Sequence, residues 1–243
     1  MKAIILAAGE GRRLRPLTNE VPKPMIPICG RSILEHTLAH VARHGISEVA
    51  INLHHCPDTV TRALGDGSRW GISITYSFEP HLLGTAGTVM NLRDWFDDTV
   101  LVIYGDNLTT CDLTSLIAFH QKHDPLLTMA VHYRDDPTGA GIVEVLEEGR
   151  IGRFLEKPAP EQVFSHWVNA GLLVVSREAL RFAPSTGTAD LSFDVIPALL
   201  RAGEPARAYC FGPHERLWWI DTPQDLQRVE REFSAAQRFA LNA

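Results

Sequence analysis

Three features are scarce in this sequence of 243 residues: cysteine, long apolar runs and an excess of positive charge. Its four cysteines lie far apart and include no C-x-x-C pair, so their spacing indicates neither a zinc site nor a disulfide framework. No apolar run reaches the roughly 18 residues that a membrane-spanning helix needs. The apolar run at residues 3–8 is also too short for a signal peptide. We therefore expect a cytoplasmic protein without a membrane partner.

The overall charge argues against another class of partner. With 29 acidic residues against 23 lysines and arginines, the formal net charge is −6. Such a balance is not that of a general binder of nucleic acid or anionic membranes. Positive charge is nevertheless concentrated near the N terminus, where the stretch LAAGEGRRLRPLT carries three arginines. This stretch is a local basic site in an acidic protein.

Two familiar phosphate-binding motifs are also missing from that stretch. The fingerprint G-x-G-x-x-G of dinucleotide-binding proteins is incomplete, because Leu14 stands where its third glycine belongs. Four prolines between positions 16 and 27 exclude the helix that should follow it. The phosphate-loop motif G-x-x-x-x-G-K-[ST] does not occur there. These absences disfavour a dinucleotide-dependent oxidoreductase.

What remains is a long non-helical loop from residue 8 to about residue 28, rich in glycine and cations. Glycines let the backbone approach a phosphate, while arginine and lysine neutralise phosphate charge. The alternative is an ordinary exposed basic loop. We interpret the loop as a triphosphate-binding element because it follows the first predicted strand directly. Its cations are Arg12, Arg13, Arg15 and Lys23.

Apolar and helical patterns alternate along the first half of the chain. The runs AIILAA, EVAINL, ISITYSF and TVLVIYG are typical of strands buried on both faces of a parallel sheet. Ser32 and Glu35 form a capping box before a helix that stops at Gly45, and Asp58 and Asp112 begin two further helices. Thr222 and Pro223 begin a last helix that runs to about Phe239.

The middle of the chain has a different pattern. Between residues 127 and 176, β-rich runs are separated by tight turns, which predicts antiparallel hairpins. We find no internal repeat, low-complexity tract or linker. The sequence therefore predicts a single α/β domain over residues 1–243. We expect an open, mostly parallel Rossmann-like sheet flanked by helices, with a small antiparallel insertion.

A set of motifs occurs in one order along nearly the whole chain. Residues 9–18 match G-x-G-x-R-[LM]-x-P-L-T, and Pro22-Lys23-Pro24 follows. The further motifs are EPHLLGTAGT (79–88), YGDN (104–107), GIVEV (141–145), FLEKP (154–158), VNAG (168–171) and WWIDTP (218–223). This ordered set resembles the sugar-1-phosphate nucleotidyltransferases, and within them the mannose- and heptose-1-phosphate guanylyltransferases most.

The resemblance implies that a sugar 1-phosphate attacks the α-phosphorus of an NTP in line, giving an NDP-sugar and pyrophosphate. It implies that Arg13 and Lys23 hold the triphosphate and stabilise the leaving pyrophosphate. It also implies that Asp106 and Asp221 share a Mg²⁺ ion. Taken alone, Asp106 could instead begin a turn and Asp221 could cap a helix. The implied nucleotide-binding residues are Leu6, Ala8, Gly9, Gly11, Arg13, Lys23, Glu79, Gly84, Thr85 and Asp106.

For the sugar phosphate, the resemblance implies contacts from Gly141, Glu156, Lys157 and Asn169. Residues 1–125 would then form a nucleotide-binding half, and residues 126–243 a sugar-phosphate-binding half with the C-terminal helix. The expected partners are the NTP and the sugar 1-phosphate, and self-association into a homo-oligomer stays open. Because the chain ends soon after the last predicted helix, we expect no C-terminal β-helix or acyltransferase extension.

The base is suggested by residues 79–88. Thymidine-specific relatives often carry a glutamine and a G-L-A-Q-A loop where this chain has Glu79 and GTAGT. The pattern here is closer to the guanylyltransferases, which favours GTP, with UTP second. A catalytically inactive nucleotide-sugar-binding regulatory subunit is the alternative. The presence of Arg13, Lys23, Asp106 and Asp221 argues against that alternative.

Overall fold

The computed structural model describes the backbone of residues 1–241 and the side chains of residues 1–236. The strands are β1 (Lys2–Leu6), β2 (Pro27–Ile28), β3 (Arg31–Ser32), β4 (Glu48–Leu53), β5 (Ser73–Phe78), β6 (Thr99–Tyr104), β7 (Asn107–Thr109), β8 (Leu127–Tyr133), β9 (Ile142–Val145), β10 (Ile151–Leu155), β11 (Trp167–Ser176), β12 (Ala206–Cys210) and β13 (Leu217–Trp219). The α-helices are α1 (Ile33–Arg43), α2 (Pro57–Leu64), α3 (Thr85–Asn91), α4 (Leu113–His123), α5 (Ile196–Arg201) and α6 (Pro223–Leu241). None of these helices is both long and apolar enough to cross a membrane.

The chain divides into two compact units, each built from three stretches of sequence. The loop unit comprises Ile5–Pro80, Tyr104–Thr109 and Leu217–Ala243. The hairpin unit comprises Met1–Ile4, His81–Ile103 and Thr110–Arg216. The nucleotide-binding and sugar-phosphate-binding halves expected on either side of residue 125 stay a prediction.

The loop unit contains the last two residues of β1 and all of β4 and β5, and β4 lies between β1 and β5 in the strand order. Strands β4 and β5 run parallel, from the pair Glu48↔Ser73 to the pair Leu53↔Phe78. Strand β4 is buried from its second residue onward, as its continuous apolar pattern predicts. The capping box before α1 is confirmed, because the Ser32 hydroxyl accepts from the Glu35 amide and the Glu35 carboxylate accepts from the Ser32 amide.

In the hairpin unit, strand β11 organises the sheet. It pairs antiparallel with β6, β8 and β9, and β9 forms the predicted hairpin with β10. Strand β12 joins the edge by running parallel to β8. The predicted α/β class is confirmed, with a largely parallel central sheet, flanking helices and additional antiparallel strands. The antiparallel strands join the sheet through β11 and do not form a separate layer.

Of two predicted helix starts, one is confirmed and one is displaced by a residue. Asp112 caps α4 by accepting from the Ser115 amide, as expected. The expectation that Asp58 begins α2 is wrong, because the helix begins one residue earlier, at Pro57, after Cys56. Proline suits the first helical position, where its fixed φ is already helical and its missing N–H is not needed.

The predicted non-helical loop contains two single turns of 3₁₀-helix, Arg12–Leu14 and Lys23–Met25, and no α-helix. Leu14 is buried in a core cluster with aliphatic and aromatic side chains of the same unit. Trp218 packs edge-to-face on Phe233 in this cluster. The other buried members are Ile26, Ile28, Ile33, Leu108, Ile220 and Val229. The loop is therefore fixed by apolar side chains, although its exposed residues are mostly polar.

Candidate functional site

A short antiparallel ribbon in the loop unit brings together two aspartates from distant parts of the chain. Strand β7 pairs with β13 so that Asn107 faces Trp219. Asp106 directly precedes β7, and Asp221 follows the end of β13 by two residues. The pairing therefore places both carboxylates at the same end of the ribbon.

Lys23 lies between the two carboxylates. Its Nζ is 2.7 Å from Asp106 Oδ2 and 2.9 Å from Asp221 Oδ1, and its side chain is only 8% exposed. Burial, the largest single effect, would lower the pKa of this ammonium, but the charges and hydrogen bonds of the two aspartates outweigh it and raise the pKa. Lys23 therefore stays charged throughout the physiological pH range.

The arginines of the loop divide between two acidic partners. Arg13 is 2.9 Å from Asp221 Oδ1, while its own side chain is 71% exposed. Arg12 and Arg15 instead pair with Glu10, at 2.7 and 3.4 Å. The four cations that the sequence presented as one set thus form two groups. Only Arg13 and Lys23 meet the aspartate pair.

These side chains line a cavity of about 240 Å³. Gly11 needs its left-handed φ of 61°, and a Cβ there would lie 2.8 Å from the Lys23 Cβ, so the close approach requires glycine. The cavity can accept an anionic group of phosphate size between the glycine backbone and the cations. The predicted nucleotide-site residues that line it are Leu6, Gly9, Gly11, Arg13, Lys23 and Asp106, together with Asp221.

A buried polar chain lies beside the start of the loop. Asn52 Oδ1 accepts from the Ala7 amide at 2.7 Å, and Asn52 Nδ2 donates to Glu79 Oε1 at 2.9 Å. Glu79 is only 1% exposed, and Ala8 is buried next to Ala7. The sequence analysis missed Asn52, although an amide inside the apolar run EVAINL was a usable signal. Asn52 fixes the backbone that leads into the glycine loop.

The aspartate pair has the donor chemistry of a Mg²⁺ site. Mg²⁺ takes oxygen ligands and is usually bound by one or two carboxylates together with water and substrate phosphates. Lys23 and Arg13 contact Asp106 Oδ2 and Asp221 Oδ1, and each carboxylate carries a second oxygen. Within the described residues, no group of three or more His, Cys, Asp or Glu side chains is arranged to hold a metal ion.

In the hairpin unit, the other three predicted sugar-phosphate residues, Glu156, Lys157 and Asn169, lie close to Gly141. The Asn169 amide donates to the Gly141 carbonyl, and the Lys157 amide donates to the Ala140 carbonyl. A Cβ on Gly141 would lie 2.5 Å from Glu156 Oε2 and 2.5 Å from Phe154 Cζ, so a larger residue would displace these side-chain ends. The Asn169 Oδ1 accepts from the Gly171 amide, which fixes its amide group.

Burial raises the pKa of the Glu156 carboxyl. The neighbouring Lys157 charge opposes this effect, the Asp190 charge adds to it, and a hydrogen bond from Ser192 opposes it again. The net direction is upward. Glu156 is therefore a carboxylate whose charged form the fold disfavours.

Gly84 and Thr85 belong to the same unit as Glu156. Gly84 has a φ of 80°, and a Cβ there would clash with the Ala189 carbonyl. The Thr85 hydroxyl donates to Asp190 Oδ2 at 2.9 Å and accepts from the Leu191 amide at 2.7 Å. The sequence analysis missed Asp190, whose position before the apolar run LSFDVIP was the available signal of a helix cap.

The Nucleotidyl transferase family model matches residues 2–233 of the chain. A UTP–glucose-1-phosphate uridylyltransferase of Synechocystis sp. is 34% identical over 219 residues, which cover 84% of this chain and 56% of that protein. A mannose-1-phosphate guanylyltransferase of Mycobacterium tuberculosis is 35% identical over 229 residues, 93% of this chain and 62% of that protein. The chain thus spans less than two thirds of the length of these relatives.

Solved structures resemble the fold at lower sequence identity. A Bacillus anthracis protein in complex with sucrose superposes with a TM-score of 0.85 at 21% identity, covering 95% of this chain and 94% of its own. HddC from Yersinia pseudotuberculosis gives a TM-score of 0.79 at 21% identity, covering 96% of this chain and 99% of its own. At this identity the likeness concerns the fold alone.

The raised pKa of Glu156 gives a first prediction. The substitution Glu156→Gln removes a charge that the folded state disfavours. The thermal unfolding midpoint should therefore rise by a few degrees at pH 7. The gain should shrink toward pH 4, because the raised pKa leaves Glu156 uncharged in the folded chain there and the unfolded chain also becomes largely protonated. Thermal unfolding between pH 4 and pH 8 measures this. Glu147→Gln, at an exposed position, is the matched control. A gain that grows toward low pH would contradict the assignment.

Proposed function

The chain belongs to the nucleotidyl transferase family, and from this premise we propose that it transfers a nucleotidyl group from an NTP to a sugar 1-phosphate. One observation carries the proposal. Lys23, a buried cation, contacts both Asp106 and Asp221 beside a glycine loop whose Arg13 also pairs with Asp221. Phosphoryl chemistry needs such a preorganised set of charges more than it needs a covalent catalyst.

The reaction consists of one displacement. An oxygen of the sugar phosphate forms a bond to the α-phosphorus, the bond from that phosphorus to the bridging oxygen breaks, and pyrophosphate leaves with the electron pair. Arg13 and Lys23 would bind oxygens of the triphosphate and stabilise the charge that develops on the leaving pyrophosphate. Gly9 and Gly11 let the backbone approach the phosphates closely.

Enzymes of this family generally depend on Mg²⁺, and we propose that Asp106 and Asp221 hold it here. When bound, Mg²⁺ would neutralise phosphate charge and orient the attacking oxygen. The aspartates are half-exposed toward the cavity, with side chains 38% and 32% accessible. Ligands of the metal from substrate and water can therefore reach them.

On the sugar side, Lys157 would pair with the monophosphate of the acceptor, and Glu156 and Asn169 would accept from or donate to sugar hydroxyls. The support for this is that the backbone amides of Asn169 and Lys157 donate to the carbonyls of Gly141 and Ala140, and that the Glu156 carboxylate packs against Gly141. For the base, we propose contacts from Gly84 and Thr85, as the family resemblance implies; the Glu79 carboxylate is buried and accepts from Asn52, so its implied role stays a prediction. We propose GTP as the preferred nucleotide and UTP as the second.

The central experiment is a pyrophosphate-release assay over ATP, GTP, CTP, UTP and dTTP, each with mannose 1-phosphate or glucose 1-phosphate and Mg²⁺. We expect turnover with GTP at least about tenfold above the other nucleotides, because a base site with buried polar groups penalises a mismatched base. Equal turnover of all five would contradict base recognition by Glu79 and residues 84–85. Binding of nucleotide without turnover of any pair would favour the inactive regulatory subunit.

A second prediction concerns the metal pair. Asp106→Asn and Asp221→Asn keep the side-chain size but remove a charge from the proposed Mg²⁺ site, so each should lower kcat by about a hundredfold or more. The double variant should be hardly worse, because residues that act as a unit are not additive. Steady-state kinetics at saturating Mg²⁺ measures this.

Asp112→Asn is the matched control for the metal pair, because Asp112 caps α4 and asparagine caps a helix equally well. This control should keep near-normal turnover. Normal turnover of either single variant, or full activity of the wild type in EDTA, would contradict the metal assignment.

A third prediction concerns Lys157. Lys157→Ala should raise the KM for the sugar 1-phosphate about tenfold to a hundredfold, on the scale of one lost charge-assisted contact, and leave the KM for NTP nearly unchanged. Varying each substrate at a saturating level of the other separates the two constants. Lys122→Ala, at an exposed position of α4, is the control. A raised KM for NTP alone would assign Lys157 to the triphosphate instead.

A further inference from the structure

One segment of the hairpin unit, residues 189–193, contacts two loops that have separate proposed roles. On one side it contacts residues 83–87, a loop that runs into the first turn of α3 and is called the loop below. The amides of Ala86 and Gly87 both donate to the Ala189 carbonyl, at 2.9 and 3.0 Å. The Ala189 amide donates in return to the Leu83 carbonyl at 2.9 Å. Backbone hydrogen bonds therefore hold the loop against the segment in both directions.

Side chains strengthen this connection. The Thr85 hydroxyl donates to Asp190 Oδ2 and accepts from the Leu191 amide, so both functions of the hydroxyl are used. The other Asp190 oxygen, Oδ1, accepts from the amides of Ser192 and Phe193 at 2.7 and 3.0 Å. Asp190 thus joins the start of α3 to the turn that leads into α5.

On its other side, the same segment contacts the turn formed by Glu156 and Lys157. The Ser192 side chain hydrogen-bonds the Glu156 carboxylate. The nearby Asp190 charge raises the pKa of the same carboxylate. The Lys157 ammonium lies over the Phe193 ring, 5.9 Å from its centroid. Residues 189–193 therefore contact both the loop at Thr85 and the turn at Glu156.

We propose that Asp190 is a positioning residue that couples the loop at residues 83–87 to the Glu156-Lys157 turn. A ligand that orders one of them then favours the binding of a ligand at the other. The inference rests on the proposed function, since it takes the loop to meet the NTP and the turn to meet the sugar 1-phosphate.

The physical reason for coupling is shared order. A ligand that fixes the loop also fixes Thr85, and through Asp190 it fixes the amides of Ser192 and Phe193. The second ligand then loses less conformational entropy when it binds. By linkage the effect is mutual, so each ligand should raise the affinity of the other by the same factor.

Thr85→Val tests this coupling, because valine keeps the shape of threonine and removes its hydroxyl. The probes are mannose 1-phosphate and the α,β-methylene analogue of GTP, which cannot release pyrophosphate; titration calorimetry gives each affinity with and without the other ligand. In the wild type, each probe should tighten the other by about fivefold or more, the lower end of typical coupling. Thr85→Val should bring this factor close to one, and Thr85→Ser should restore it.

Two further variants make the result decisive. Asp190→Asn retains a cap for the turn but loses the charge that accepts from Thr85, and it should also reduce the coupling. Asp98→Asn removes an exposed carboxylate elsewhere in the same unit and should leave the coupling unchanged. Wild-type coupling in both Thr85→Val and Asp190→Asn would overturn the proposal.

Hydrogen exchange on the ligand-free protein separates this proposal from the proposed function. In Thr85→Val, the Leu191 amide loses its acceptor and should exchange several-fold faster. The Lys157 amide, on the opposite side of residues 189–193 from Thr85, should also exchange several-fold faster. Binding of neither probe by the wild type would overturn the proposed function, and the exchange data would still decide the connection. Exchange that accelerates at Leu191 but not at Lys157 would show that the segment does not transmit order, and would overturn the coupling.

Discussion

The loop unit depends on the charge of one buried lysine. A buried ammonium group without a carboxylate partner is strongly disfavoured, because it has lost its hydration and nothing compensates its charge. Lys23 therefore constrains everything that supplies its partners: the register of β7 on β13, the chain before β7 and the chain before α6. Three distant parts of the sequence must meet at one ammonium group.

Apolar packing provides the opposing constraint that keeps the cations in place. Leu14 lies between Arg13 and Arg15 in sequence and is buried in the core beside Trp218 and Phe233. Its neighbours then have to point away from the core. A loop without an α-helix thereby gains a fixed backbone, and Arg13 reaches Asp221 from it. Groups held in place before the substrate arrives need no reorganisation during the reaction, which is the main way that enzymes stabilise developing charge.

The sequence predicted what local patterns determine. Strand β4 matches its predicted run, and the cap at Ser32 forms as expected, because periodicity and capping depend on neighbours in the chain. The structural roles of Asn52 and Asp190 were not predicted, because each role depends on a hydrogen-bond partner far away in sequence. The division of the arginines between Glu10 and Asp221 escaped for the same reason, since charge alone does not say which carboxylate lies within reach.

The pairing of cations with carboxylates also bears on how nucleotide and metal would bind. In the structure, Lys23 and Arg13 are neutralised by Asp106 and Asp221. A triphosphate that draws the two cations toward itself leaves two carboxylates close together and short of positive charge. A divalent cation held by Asp106 and Asp221 would restore the balance at that point, and substrate phosphates would supply further ligands. If the aspartate pair holds the metal as proposed, the affinity for nucleotide and the affinity for metal would each depend on the other.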